Sequence, residues 1–149
     1  MAVNPSDQTI QGPDEQRIVV GVDGSECATR AVEFAAKEAA RWGALLHVVS
    51  AYREMPAGGA LVVPVALFHE SAAIIVARAV RHAQELEPAL VVKGDEVLDT
   101  PGRALVRMSS DASALVVGTR GRGELTDLLL GSVSEYVVHH ATCTTIVVR

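Results

Sequence analysis

Five short runs rich in branched aliphatic residues alternate with stretches of helical period, and this alternation restricts the possible folds more than any other feature of the chain. The runs are IVVGVD from Ile18, ALLHVVS from Ala44, ALVVKGDEV from Ala89, SALVVG from Ser113 and CTTIVVR from Cys143. Continuous apolar runs of this length read as strands buried on both faces. The first is ended by Asp-Gly-Ser, after which the period changes. Ala28, Ala31, Val32, Ala35 and Ala39 fall three or four apart and make one helical face, with Gly43 as the stop. A second helix is expected over Leu67–Glu87, with Phe68, Ala72, Ile75, Ala79, Ala83 and Leu86 on its apolar side and Arg78, Arg81 and Glu85 opposite. Ile74 falls on that polar side. Thr100-Pro101 reads as a cap followed by proline at the first position of a short third helix ending near Ser110. A last helix is expected over Ser132–His140. Strands alternating with helices predict an α/β domain, a parallel sheet with helices on both faces.

Composition narrows the functional classes. At 149 residues the chain is expected to form one domain. Apolar residues make up 49% but aromatics only 3%, so the core must be built from Val, Leu, Ile and Ala. A net charge of −5 gives no broad basic footprint for a nucleic-acid backbone. Cys27 and Cys143 have neither disulfide-framework nor metal-ligand spacing. His139 and His140 are adjacent on a helix and cannot share a ligand, so no metal is expected from them. Residues 1–16 are polar, carry Pro5, Gly12 and Pro13, and read as a mobile tail. They lack the apolar stretch of a secretory signal, and no run of about 18 apolar residues is present to span a bilayer. The expected location is cytoplasmic. The connection over residues 51–66, with two prolines and two glycines, is expected to be long and mobile, and to gain order when ligand binds.

The chemistry is concentrated in GTRGRGELTDLLLGS, Gly118–Ser132. In a sheet of order 3-2-1-4-5 the winding reverses between the first and fourth strands, and ligands bind at the carboxyl ends there. Asp23 ends the first strand and Gly118 the fourth, so both lips of that crevice carry unusual residues. Glycines permit close backbone approach and positive φ. Ser132 begins a helix, whose free N–H groups and dipole attract phosphate. Arg120 and Arg122 offer charge-assisted contacts, and Asp23 offers an acceptor for ribose hydroxyls. Ser132-Val133-Ser134-Glu135 also fits a capping box, in which Ser132 serves only the helix. Neither a P-loop nor a dinucleotide fingerprint occurs: GVDGSE follows the first strand where G-x-G-x-x-G would stand.

Gly118-x-x-Gly121, nine residues, then Gly131-Ser132 matches the G-2x-G-9x-G-[ST] motif, and VGVDGS and LLGSVSEYVVHHA add to the likeness. On these residues the chain resembles the ATP-binding branch of the universal stress protein family, from Arg17 to Arg149. The resemblance implies a Rossmann-like domain of the adenine nucleotide alpha hydrolase type over 17–149, with a five-stranded parallel sheet of order 3-2-1-4-5. It also implies a homodimer, which fits the apolar TTIVVR strand at the end of the chain. By position it implies that Asp23 contacts ribose and that Gly21, Val22 and Val48 bound the adenine, partly through backbone groups. Val117, Gly118 and Gly121 would lie under ribose and phosphates. Gly131, Ser132, Val133 and Ser134 would bind phosphate oxygens, with Arg122 as a further phosphate contact. The expected ligand is ATP, with ADP, AMP or a cyclic adenine nucleotide as alternatives and magnesium as an accompanying ion. The chain departs from many relatives at Thr144, where they carry proline. Two classes of function fit: a nucleotide-dependent stress-response switch or sink, and a slow ATPase or phosphoryl- or adenylyl-transfer enzyme. Fast phosphoryl transfer needs a held metal and an oriented nucleophile, and no motif supplies either.

Overall fold

The computed structural model describes residues 16–53, 65–121 and 130–149. Its five strands form one parallel sheet of order β3-β2-β1-β4-β5. The elements in chain order are β1 (Arg17–Gly21), α1 (Glu26–Trp42), β2 (Leu45–Tyr52), α2 (Val65–Leu86), β3 (Val92–Leu98), α3 (Pro101–Met108), β4 (Ala114–Gly118), α4 (Ser132–His140) and β5 (Thr144–Val148). The expected strand order and the alternation are both present. The 51–66 connection shrinks at both ends, because β2 continues through Tyr52 and α2 begins at Val65. Its centre, residues 54–64, lies outside the described residues, as do residues 1–15 of the expected tail.

Two apolar layers flank the sheet. Ile18, Val20, Leu46, Val48, Ala114 and Val116 point to one side and pack with Ala31, Val32, Ala35 and Ala39 of α1 and with Val76 and Ala83 of α2. Val19, Val49, Leu115 and Val117 point to the other side, where Leu105 of α3 and Val137 of α4 cover them. This period-2 division explains why the inner strands read as unbroken apolar runs: both faces are buried. Small alanines let α1 lie close over β1 and β4. Gly43 closes α1 in the left-handed conformation, with φ 65°, as its place after the helical stretch predicts.

The apolar side of α2 differs from the expected stripe in two places. Val76 is buried in the core, whereas Leu86 is 38% exposed because the helix ends there, past the sheet. Ile74 is 54% exposed, as its position on the polar side requires. His82 of α2 contacts Glu33 of α1 at 3.1 Å and ties the two helices together. β3 starts later than expected, at Val92, and is an edge strand with Lys93 and Asp95 exposed, which blunts the edge. β5 forms the opposite edge. Among the described residues it pairs only with β4, from Ala114↔Thr144 to Gly118↔Val148.

Candidate nucleotide site

The sheet order places the carboxyl ends of β1 and β4 side by side, and a cavity of about 370 Å³ opens there. Gly21, Val22 and Asp23 line it from the end of β1 and the turn after it, Val117, Gly118 and Gly121 from the end of β4 and the segment after it, and Gly131, Ser132, Val133 and Ser134 from the start of α4. The structure thus brings together the β1, β4 and α4 residues that the sequence singled out. Arg120 also lines the cavity. Arg122 lies outside the described residues.

Val48 is the exception. It is fully buried on the α1–α2 side of the sheet. The β2 residues that face the cavity are Val49 and Ala51. Side chains alternate along a strand, so one position decides the face. Val49 pairs with Gly21 across the β1–β2 register and accepts the Val22 N–H at 2.9 Å. Pro101 and Leu105 of α3 and Glu135 of α4 complete a largely apolar floor with a polar rim.

The β1–α1 turn fixes Asp23. Its Oδ1 accepts the Ser25 N–H at 2.9 Å, Gly24 takes φ 81° to make the turn, and the Ser25 hydroxyl caps α1 by accepting the Ala28 N–H at 3.2 Å. Oδ2 is directed to the other lip. A β-carbon placed on Gly121 would lie 2.5 Å from it. Gly118 has a different constraint: a β-carbon there would lie 2.8 Å from the backbone of Cys27 in α1. Gly118, Gly121 and Gly131 all lie outside the positive-φ region, so of the two uses a glycine offers there, close approach and positive φ, these three do not serve the second. At Gly118 and Gly121 the absence of a side chain, rather than an unusual backbone angle, is what the site requires.

The start of α4 is built differently from the start of α1. Gly131, not Ser132, is the N-cap, and it has no side chain to close the helix. The capping-box reading of Ser132 is therefore corrected: Ser132 is the first helical residue and is exposed. Gly131 donates its own N–H to the Thr119 carbonyl at 2.7 Å. The Ser134 hydroxyl is buried and donates to the carbonyls of Thr119 at 3.0 Å and Gly131 at 2.9 Å. That hydroxyl holds the helix against β4, so Ser134 has its backbone N–H to offer at the cavity. Among the described residues, the N–H groups of Ser132, Val133 and Ser134 receive no protein acceptor. An uncapped helix start with three free donors at a cavity rim favours an anion.

Among the described residues, no group of three metal-ligating side chains is assembled. The carboxylates lining the cavity there are Asp23 and Glu135. This donor set suits a magnesium ion carried on phosphates with one or two carboxylates assisting, and does not form a closed protein cage. Glu135 reads from the sequence as part of a cap; its place at the rim emerges only from the fold.

The family model for the universal stress protein family matches residues 15–149, and the chain belongs to this family. It is 35% identical over 147 residues to a universal stress protein of Mycobacterium tuberculosis, an alignment taking in 99% of this chain and 50% of the relative. The chain thus spans about half the length of the curated relatives it matches. A solved universal stress protein from Archaeoglobus fulgidus superposes with a TM-score of 0.73 at 27% identity, covering 91% of this chain and 100% of that one. A universal stress protein solved in complex with cAMP superposes at 0.72 with 28% identity, covering 90% and 97%. One from Archaeoglobus fulgidus solved with dAMP does so at 0.68 with 25% identity, covering 90% and 98%. Among the described residues, no helix is long and apolar enough to cross a membrane.

Proposed function

We propose that this domain binds an adenine nucleotide between β1 and α4, with ATP as the ligand, and acts as a nucleotide-dependent switch or sink in a stress response. The observation that carries this reading is the uncapped start of α4 on a cavity whose opposite lip is Asp23. Phosphate oxygens accept from the Ser132, Val133 and Ser134 N–H groups, Gly121 leaves room for the sugar-phosphate, and Asp23 Oδ2 accepts from a ribose hydroxyl. The adenine lies over the apolar floor beside Val22, Val49 and Ala51. Arg120 and Arg122 add positive charge on the phosphate side, and magnesium, when present, neutralises the phosphates. The cAMP and dAMP complexes of similar structures support an adenine nucleotide as the class of ligand.

The same reading includes a two-fold homodimer through β5, the open edge next to the site, and a cytoplasmic location. Mass analysis of small molecules retained by the natively purified protein tests the ligand. An adenine nucleotide in near-stoichiometric amount is expected; a chain that retains none and takes up none from a millimolar nucleotide mixture would contradict it. Single-turnover incubation with ATP separates the switch or sink from a slow ATPase, since only the latter forms product.

A further inference from the structure

A second cavity, of about 410 Å³, lies between α1 and α2 on the other side of the β1–α1 turn. Nothing in the nucleotide reading uses it. Val22 and Ala28 wall both cavities, but no residue from Gly118 to Ser134 lines this one. Its floor is apolar, formed by Val22, Val32, Ile75 and Ala79. Arg78 and Arg81 stand on its α2 rim and are exposed. Among the described residues neither has a hydrogen bond or ion pair, although every other arginine within α1 and α3 does. The neighbouring His82 is engaged with Glu33 of α1 at 3.1 Å. Glu85, one helical turn beyond Arg81 on α2, also lines the groove.

An apolar floor beside two guanidinium groups that have no polar partner among the described residues matches a molecule with an apolar body and one anionic head. We propose that the α1–α2 groove is a second ligand site for a small amphipathic organic anion. The body fills the space over Ile75 and Ala79, and a carboxylate, sulfonate or phosphate head is held by Arg78 and Arg81. Arginine suits this role because its planar fork pairs with two acceptor oxygens at once. The floor supplies the hydrophobic part of the affinity.

Three probes separate the contributions: naphthalene-1-sulfonate has both features, 1-naphthalenemethanol only the apolar body, and inorganic phosphate only the charge. Each is titrated into the isotopically labelled full chain and followed by amide chemical shifts. The sulfonate is expected to give saturable shifts at Thr29, Val32, Ala79 and His82. The other two are expected to bind at least about tenfold more weakly. In the Arg78→Gln, Arg81→Gln double variant, with unchanged melting temperature, the sulfonate should fall to the level of the alcohol. Equal binding of the alcohol would remove the arginines from the site, and equal binding of phosphate would remove the floor. Sulfonate shifts that are absent, or confined to Gly118, Gly121 and Gly131, would overturn the proposal.

Discussion

At the scale of single residues, the structure separates roles that the motif alone merges. Gly118 faces the backbone of α1, which cannot move aside, whereas Gly121 faces the end of one carboxylate. Gly118→Ala should therefore lower stability by about 1–3 kcal/mol through overpacking. Gly121→Ala should leave the melting temperature nearly unchanged and weaken nucleotide binding, because the added methyl occupies the space beside Asp23. Thermal denaturation and calorimetric titration of both variants check this; the reverse pattern would exchange the two roles. Asp23→Ala removes a charge-assisted hydrogen bond and should weaken binding by roughly 1.5–3 kcal/mol. Because Asp23 Oδ1 also holds the Ser25 N–H, Asp23→Asn is the cleaner variant: its amide oxygen can keep the turn while the charge is lost. Unchanged affinity in both variants would remove Asp23 from the site. Ser132→Ala and Ser134→Ala should also diverge. The exposed Ser132 should affect ATP more than adenosine without a change in stability. The buried Ser134 should cost on the order of 1 kcal/mol of stability, since its hydroxyl bond to the carbonyls of Thr119 and Gly131 is lost and a small void is left between α4 and β4.

At the scale of elements, legibility followed burial. Strands buried on both faces announce themselves as apolar runs, and α1 announces itself by its alanine face. The same double burial conceals which face each strand residue takes. β2 is apolar or buried at every position from Leu46 to Ser50, so the sequence holds no alternation by which to choose Val49 over Val48. Edge strands behave in the opposite way. β3 carries charge at Lys93, Asp95 and Glu96, and the apolar run Ala89–Val92 before them reads as its start although pairing begins only at Val92. The α4 start was legible as a helix start, but not as one left uncapped, because Ser-x-x-Glu fits a cap equally well. Only the extended backbone of Gly131 and the Glu135 N–H bond to its carbonyl show that the cap lies one residue earlier. β5 carries the element-scale prediction. Thr145 to Val148 are half-buried along an edge that is open among the described residues, and open apolar edges attract pairing. Sedimentation analysis should show a monomer–dimer equilibrium that favours the dimer at high micromolar concentration. A monomer throughout that range would count against pairing through β5.

At the scale of the whole molecule, the reversal of strand order is what makes a site from distant parts of the chain. Asp23 and Ser132 are separated by more than a hundred residues, yet the 3-2-1-4-5 order brings their elements to one crevice. α1 is closed by its own Ser25 and α4 is left open, so one helix start serves the fold and the other faces the cavity. The central claim is that α4 receives the phosphates of an adenine nucleotide. Calorimetric titration of the purified chain with ATP and with adenosine, at the same salt concentration, tests this most directly. One saturable site per chain is expected, with ATP bound at least about tenfold more tightly than adenosine, a difference of about 1.4 kcal/mol. Equal affinities, or no saturable heat from either ligand, would contradict it.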